Sequence, residues 1–204
     1  METLPPDSPV AEQNLASTPA ADDPASQPEP AQPQKISTLG LWVRDMLISI
    51  AASVLIITFL YQPVRVEGTS MLPRLEDSDR LFINKFVYRV SPIKRDDIVV
   101  FHYPRDPSKS YIKRVIGLPG DHLRIDHGTV YVNGRRLVER YVPERYRDDR
   151  SMAEIVVPDD AYVVMGDHRS ISSDSREFGP VDRSLIYGQA VFVYWPAKDA
   201  GVVH

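Results

Sequence analysis

Apolar and polar positions divide the 204-residue chain into three unlike stretches. Residues 1–36 show neither a period of two nor a period of 3.6, and they hold eight of the 18 prolines, mixed with Ala, Ser, Gln and Asp. Such a segment has too little apolar surface to offset the entropy of ordering it, so the pattern predicts a disordered tail. From Met46 to Tyr61 the chain reads MLISIAASVLIITFLY, sixteen residues without a charge. From Pro63 onward, apolar residues return in short runs bounded by turn formers.

As a helix, the uncharged run covers about 24 Å of a hydrocarbon core about 30 Å thick. Extension back to Leu41 makes up the difference, because Arg44 can snorkel toward headgroups with Asp45 beside it. Trp42 and Tyr61 then stand where interfacial aromatics are found. A buried core helix is the alternative. A cleaved leader fits less well, since a long segment precedes the run and Tyr61, Gln62 and Pro63 follow it in place of a small-x-small site. A retained transmembrane helix is therefore expected over residues 37–62. Lys35 and Arg44 on one flank face Arg65, Arg74, Arg80 and Lys85 on the other, so the positive-inside rule does not set its direction.

Residues 63–204 predict strands at Arg80–Asn84, Asp97–Tyr103, Tyr111–Leu118, His122–Asp126, Thr129–Asn133, Ala161–Met165 and Ile186–Trp195, most of them rich in Val, Ile and Tyr. Asn133-Gly134 signals a type I′ hairpin, and Pro119-Gly120-Asp121 and His127-Gly128 mark further turns. No amphipathic helix is expected after residue 63. The fold class is mostly β: one N-terminal transmembrane helix followed by a compact antiparallel β domain.

Composition narrows the chemistry. Cysteine is absent, which removes disulfides, thiolate metal sites and a cysteine nucleophile. With 24 basic against 28 acidic residues the net charge is -4, and no nucleic-acid partner is expected. No cofactor is expected, and no metal either, because the adjacent His168 and Asp167 lack the spaced partners that zinc needs. His168 beside Asp167 suggests a Ser-His-Asp set only weakly, since an adjacent aspartate does not ordinarily aim an imidazole at a distant serine. It reads as a loop residue.

Three stretches break the strand pattern: 67–73 (EGTSMLP), 111–121 (YIKRVIGLPGD) and 166–180 (GDHRSISSDSREFGP). Ser70 follows a turn-prone pair and precedes an apolar lip. A loop serine is ordinarily a turn former, and it becomes a nucleophile only beside a base. Lys113 shares the parity of Tyr111 and Val115 in its strand. A strand lysine is ordinarily a solvated charge, but burial lowers its pKa by disfavouring the ammonium, and a depression of about three units leaves a useful neutral fraction near pH 7. Ser91-Pro92-Ile93-Lys94 matches an S-x-x-K pattern by chance, with neither S-D-N nor K-T-G elsewhere.

Taken in this order after one apolar span, the three stretches resemble the type I signal peptidase family, Ser/Lys enzymes that remove signal peptides from exported proteins. The likeness covers residues 40–195 and rests on S-M-x-P at 70–73, Y-x-K-R-x-x-G-x-P-G-D at 111–121 and G-D-N-R-x-x-S-x-D-S-R-x-x-G at 166–179, where His168 stands for Asn. The resemblance implies that Ser70 attacks the scissile carbonyl and Lys113 takes its proton. It implies that Ser172 hydrogen-bonds and orients Lys113, that Asp174 and Arg176 form a structural ion pair, and that the Ser70 N–H is one oxyanion donor. Gly68 stands where some members carry a serine as second donor, which leaves that donor open. Met71 and Leu72 are expected to line the substrate groove or dip into lipid.

The same resemblance implies preprotein signal peptides and membrane lipid as partners, and an all-β catalytic domain across the membrane from a cytoplasmic N-terminus. The short stretch 121–161 suggests a reduced second β subdomain. Two rivals are a tethered, non-enzymatic β domain and a self-cleaving Ser/Lys protein of the repressor type; the first leaves the paired motifs unexplained, and the second is usually soluble.

Overall fold

The computed structural model describes residues 38–203; the tail expected over 1–36 lies outside them. Helix α1 runs Thr38–Leu60 and takes in Arg44 and Asp45, which form an ion pair of 2.8 Å. Its apolar side chains are exposed along its length, Leu55 at 72% and Phe59 at 82% among them, so it is not a core helix. Pro63 lacks an N–H and holds Gln62 extended, so the helix ends before it. Tyr61, expected at the end of the span, instead opens strand β1, Tyr61–Arg65. No loop separates helix from sheet, and the Leu60 carbonyl accepts the Lys85 N–H at 3.2 Å.

The chain continues through β2 (Arg80–Asn84), a single helical turn α2 (Val87–Val90), β3 (Ile98–Tyr103), β4 (Asp106–Gly117), β5 (His122–Asp126), β6 (Thr129–Val132), β7 (Arg135–Arg136), β8 (Met152–Val156), β9 (Ala161–Met165), the turn α3 (Ser175–Phe178), β10 (Val181–Asp182), β11 (Ile186–Trp195) and β12 (Gly201–Val202). Two antiparallel sheets result. The larger has the order β1-β2-β11-β3-β4-β9-β10 with β12 on β11, and the smaller has the order β7-β6-β5-β8. Pro63 is tolerated because β1 is an edge strand. The segment expected to hold a reduced subdomain forms the smaller sheet.

Alternation along the central strands explains the packing. Val99 and Phe101 on β3 join Val115 and Val164 in one apolar cluster, while Ile98 and Val100 join Leu81, Ile83 and Val193 in another. A third cluster of Ile116, Val163 and Met165 with Leu123, Ile125, Val130 and Val132 glues the smaller sheet to β4 and β9. Positive φ at Asn133 (52°) and Gly134 (74°) matches the type I′ turn between β6 and β7. His127 (42°) and Gly128 (71°) repeat the device between β5 and β6.

Candidate active site

The serine stretch leaves the sheet after β1 and returns before β2. Its base is closed by Val66 N–H to Asp79 O at 2.8 Å and Ser78 N–H to Val66 O at 2.9 Å. Gly68 takes a φ of +93° and donates its N–H to Asp77 Oδ1 at 2.7 Å. Beyond it the chain coils: Thr69 O accepts Leu72 N–H, and Met71 O accepts the N–H groups of Arg74 and Leu75. That turn places Met71 and Leu75 inward, one helical turn apart, in the core cluster with Leu81 and Ile83. Met71 is 2% exposed, so it supports the turn from below and presents no groove or lipid surface; Leu72 beside it is half-buried. Ser70 is left half-buried on the outer side of the turn.

Lys113 comes from the middle of β4, opposite Val99 of β3, and is 4% exposed. Its Nζ lies 2.6 Å from Ser70 Oγ and 5.3 Å from the centre of the Tyr111 ring. Burial pushes the Lys113 amine down to about 8, against the partial pull of the Asp174 and Asp167 carboxylates. As an ammonium it donates to Ser70 Oγ. Once neutral it can accept the hydroxyl proton, which is the polarity a base needs.

The third stretch wraps behind this pair. Asp174 is fully buried; it accepts the Gly166 N–H at 3.0 Å, caps α3 through the Arg176 N–H, and receives the Arg176 guanidinium at 2.8 and 2.6 Å. Burial opposes its charge, yet Arg176 and the Gly166 N–H outweigh that cost and hold its carboxyl below the ordinary range. Arg176 also bonds Asp148 Oδ2 at 2.7 Å and the Arg169 carbonyl at 2.9 Å.

Ser172 departs from expectation. Its Oγ is buried and makes no hydrogen bond to Lys113 or to any other group among the described residues, although it lies close enough to Asp174 to help hold that carboxyl down. It is turned against Gly166, where a Cβ would stand 2.2 Å from Ser172 Oγ and 2.5 Å from the Ser70 carbonyl oxygen. Gly166 is therefore the place where the serine turn and the Ser172 loop meet.

Sequence reasoning gave no role to several residues of the same region. Arg114 and Asp167 form a buried two-pronged pair at 2.8 and 2.7 Å. Arg169 and Glu139 form another at 3.0 and 2.5 Å, each 2% exposed. Arg114, Asp167 and Arg169 stand inside the quoted stretches, but Glu139 carried no signal, because only the fold brings it to Arg169. His168 also reaches the serine turn: its N–H donates to Ser70 O at 3.0 Å, and its Nδ1 lies 3.2 Å from Thr69 O.

The signal peptidase family, peptidase S26, matches residues 39–195. The chain belongs to that family. A signal peptidase I from Bacillus licheniformis is 37% identical over 174 residues, covering 81% of this chain and 93% of the relative. One from Leptolyngbya laminosa is 36% identical over 191 residues, covering 90% and 93%. A crystal structure of a signal peptidase I from Enterococcus faecalis V583 is 33% identical, with a TM-score of 0.43, over 49% of this chain and 97% of that one. As a signal peptidase I family member, the chain is a serine peptidase whose substrates are preproteins carrying signal peptides.

Proposed function

We propose that this signal peptidase cuts preproteins with Ser70 as nucleophile and Lys113 as general base, while α1 anchors it in the membrane. The observation that carries the reading is the 2.6 Å contact between a buried amine and a half-buried hydroxyl. With a pKa near 8, about a tenth of the amines are neutral at pH 7, and a bound peptide that excludes more water raises that share.

As Ser70 Oγ attacks the scissile carbonyl, its proton passes to Lys113 Nζ. The resulting ammonium protonates the departing amine of the mature protein, which leaves the signal peptide as an ester on Ser70. Neutral again, Lys113 draws a proton from water as it attacks that ester. The Ser70 N–H engages no acceptor among the described residues, so it is free to meet the oxyanion. Ser172 holds the amine in line once substrate covers the site, using a buried hydroxyl that makes no hydrogen bond among the described residues and lies beside Asp174. Asp174 and Arg176 keep the Ser172 loop in place and touch no reacting atom.

The apolar, exposed α1 supports a membrane span. The orientation with the N-terminus cytoplasmic and the β domain extracytoplasmic, next to lipid, follows from the resemblance to the family, since the flanking charges do not set it. Nine residues separate Leu60 from Ser70, a reach of at most about 35 Å. The bond from Lys85 to Leu60 keeps the sheet at the end of the helix. The serine is thereby confined near the bilayer surface, where a membrane-inserted signal peptide offers its cleavage site.

Detergent-solubilised protein incubated with a preprotein tests the reading, with Ser70→Ala alongside. Cleavage that survives in Ser70→Ala overturns it. Protease accessibility of the β domain in sealed vesicles tests the orientation.

A further inference from the structure

His168 takes no part in the proton transfers above, yet it holds the serine turn by two bonds. The first is main-chain, from its N–H to Ser70 O at 3.0 Å. The second runs from the ring: Nδ1 lies 3.2 Å from Thr69 O. A carbonyl only accepts, so the hydrogen must sit on Nδ1. The His168 carbonyl in turn accepts the N–H groups of Ile171 (3.3 Å) and Ser172 (3.1 Å). Its ring stands edge-on to Tyr146, with centroids 4.5 Å apart, and the Tyr146 carbonyl accepts the Ser170 N–H at 3.3 Å. One residue thus ties the Ser70 turn to the loop that carries Ser172.

The ring bond has a directional consequence. Thr69 C=O and Ser70 N–H are opposite ends of one planar trans peptide, so fixing the oxygen fixes where the N–H points. A hydrogen bond at the carbonyl end also polarises the N–H at the other. This N–H, which has no acceptor among the described residues, is the one proposed above to meet the developing oxyanion.

We propose that His168 is a positioning residue that, by holding the Thr69 carbonyl through Nδ1–H, aims the Ser70 N–H at the transition-state oxyanion. The inference rests on Ser70 being the nucleophile. Its chemistry calls for a donor at the δ position of the side chain. Asparagine supplies one at the same number of bonds from Cα, whereas leucine has similar reach and no donor.

The test compares wild type, His168→Leu, His168→Asn and Ser70→Ala in detergent, measuring kcat and KM for a preprotein, affinity for a peptide aldehyde that carries the same preprotein's residues up to the cleavage site, and the thermal midpoint. Loss of one orienting hydrogen bond lowers kcat about tenfold in His168→Leu and weakens the aldehyde, which forms a tetrahedral adduct, by a similar factor. KM and the thermal midpoint stay near wild type, and His168→Asn recovers most of the loss. Unchanged kcat in His168→Leu overturns the proposal, as does a loss confined to KM or to stability, or a loss equally deep in His168→Asn. An active Ser70→Ala instead removes the nucleophile assignment beneath it, so the two failures are distinguishable.

Discussion

Lys113 Nζ stands 2.6 Å from Ser70 Oγ although the two residues are 43 positions apart in the chain. The turn that presents Ser70 is pinned from below by Met71 and Leu75, and β4 fixes Lys113 between β3 and β9. The amine is held where it can be neutral. Replacing it with a guanidinium, which stays protonated in proteins, keeps the charge and removes the proposed base. Lys113→Arg is expected to retain its fold, judged by circular dichroism, while cleavage of a preprotein falls by roughly 10²- to 10⁴-fold.

The same depressed pKa carries a stability signature. The folded value of about 8 lies below the ordinary 10.5, so between these limits the folded state binds fewer protons than the unfolded one and stability rises with pH. Below pH 8 the buried ammonium costs about 3 kcal/mol. Lys113→Met is therefore expected to be more stable than wild type at pH 7 by up to that amount, with the gap closing as pH climbs from 8 to 10.5. Denaturant unfolding at several pH values checks it.

Ser172 offers a buried hydroxyl with no partner among the described residues. If it steadies the amine in the substrate complex, Ser172→Ala loses kcat by about tenfold or more with KM little changed. Steady-state kinetics on one preprotein decides this.

Gly166 separates the Ser70 carbonyl from Ser172, and an added Cβ would meet the former at 2.5 Å. Backbone cannot yield cheaply there. Gly166→Ala is expected to shift the serine turn, lowering stability by about 1–3 kcal/mol and impairing cleavage more than that loss of folded protein explains. Thermal unfolding and activity per folded molecule separate the two effects.

Much of this architecture was legible beforehand, for reasons that differ by element. The strands Arg80–Asn84, His122–Asp126, Ala161–Met165 and Ile186–Trp195 have the bounds their residues suggested, since turn residues and alternation mark both ends. β1 and β8 escaped notice because they are largely exposed and lack alternation, and β4 begins at Asp106 because polar residues continue a ladder that apolar pattern cannot reveal. Ser70 and Lys113 are readable as motif residues, and their contact follows from the family resemblance, not from any local pattern, because 43 positions separate them. Met71 was misplaced because a sequence does not say which side of a turn faces the core. The Arg114–Asp167 and Arg169–Glu139 pairs depend on long-range packing: three of the four residues lie in the quoted stretches, but nothing local says which carboxylate each guanidinium meets.

Those two buried pairs make a further prediction. Asp167→Ala leaves the Arg114 guanidinium, 1% exposed, without its carboxylate. Uncompensated charge of this kind costs about 3–5 kcal/mol, so the variant should unfold at markedly lower denaturant concentration.

The most direct measurement of the central claim is the pH dependence of kcat/KM for preprotein cleavage between pH 6 and about 9.5. A neutral Lys113 as base predicts a rate that rises about tenfold per pH unit and levels off around pH 8, where the amine titrates. A flat profile, or a limb centred near pH 6.5 as an imidazole would give, would contradict it.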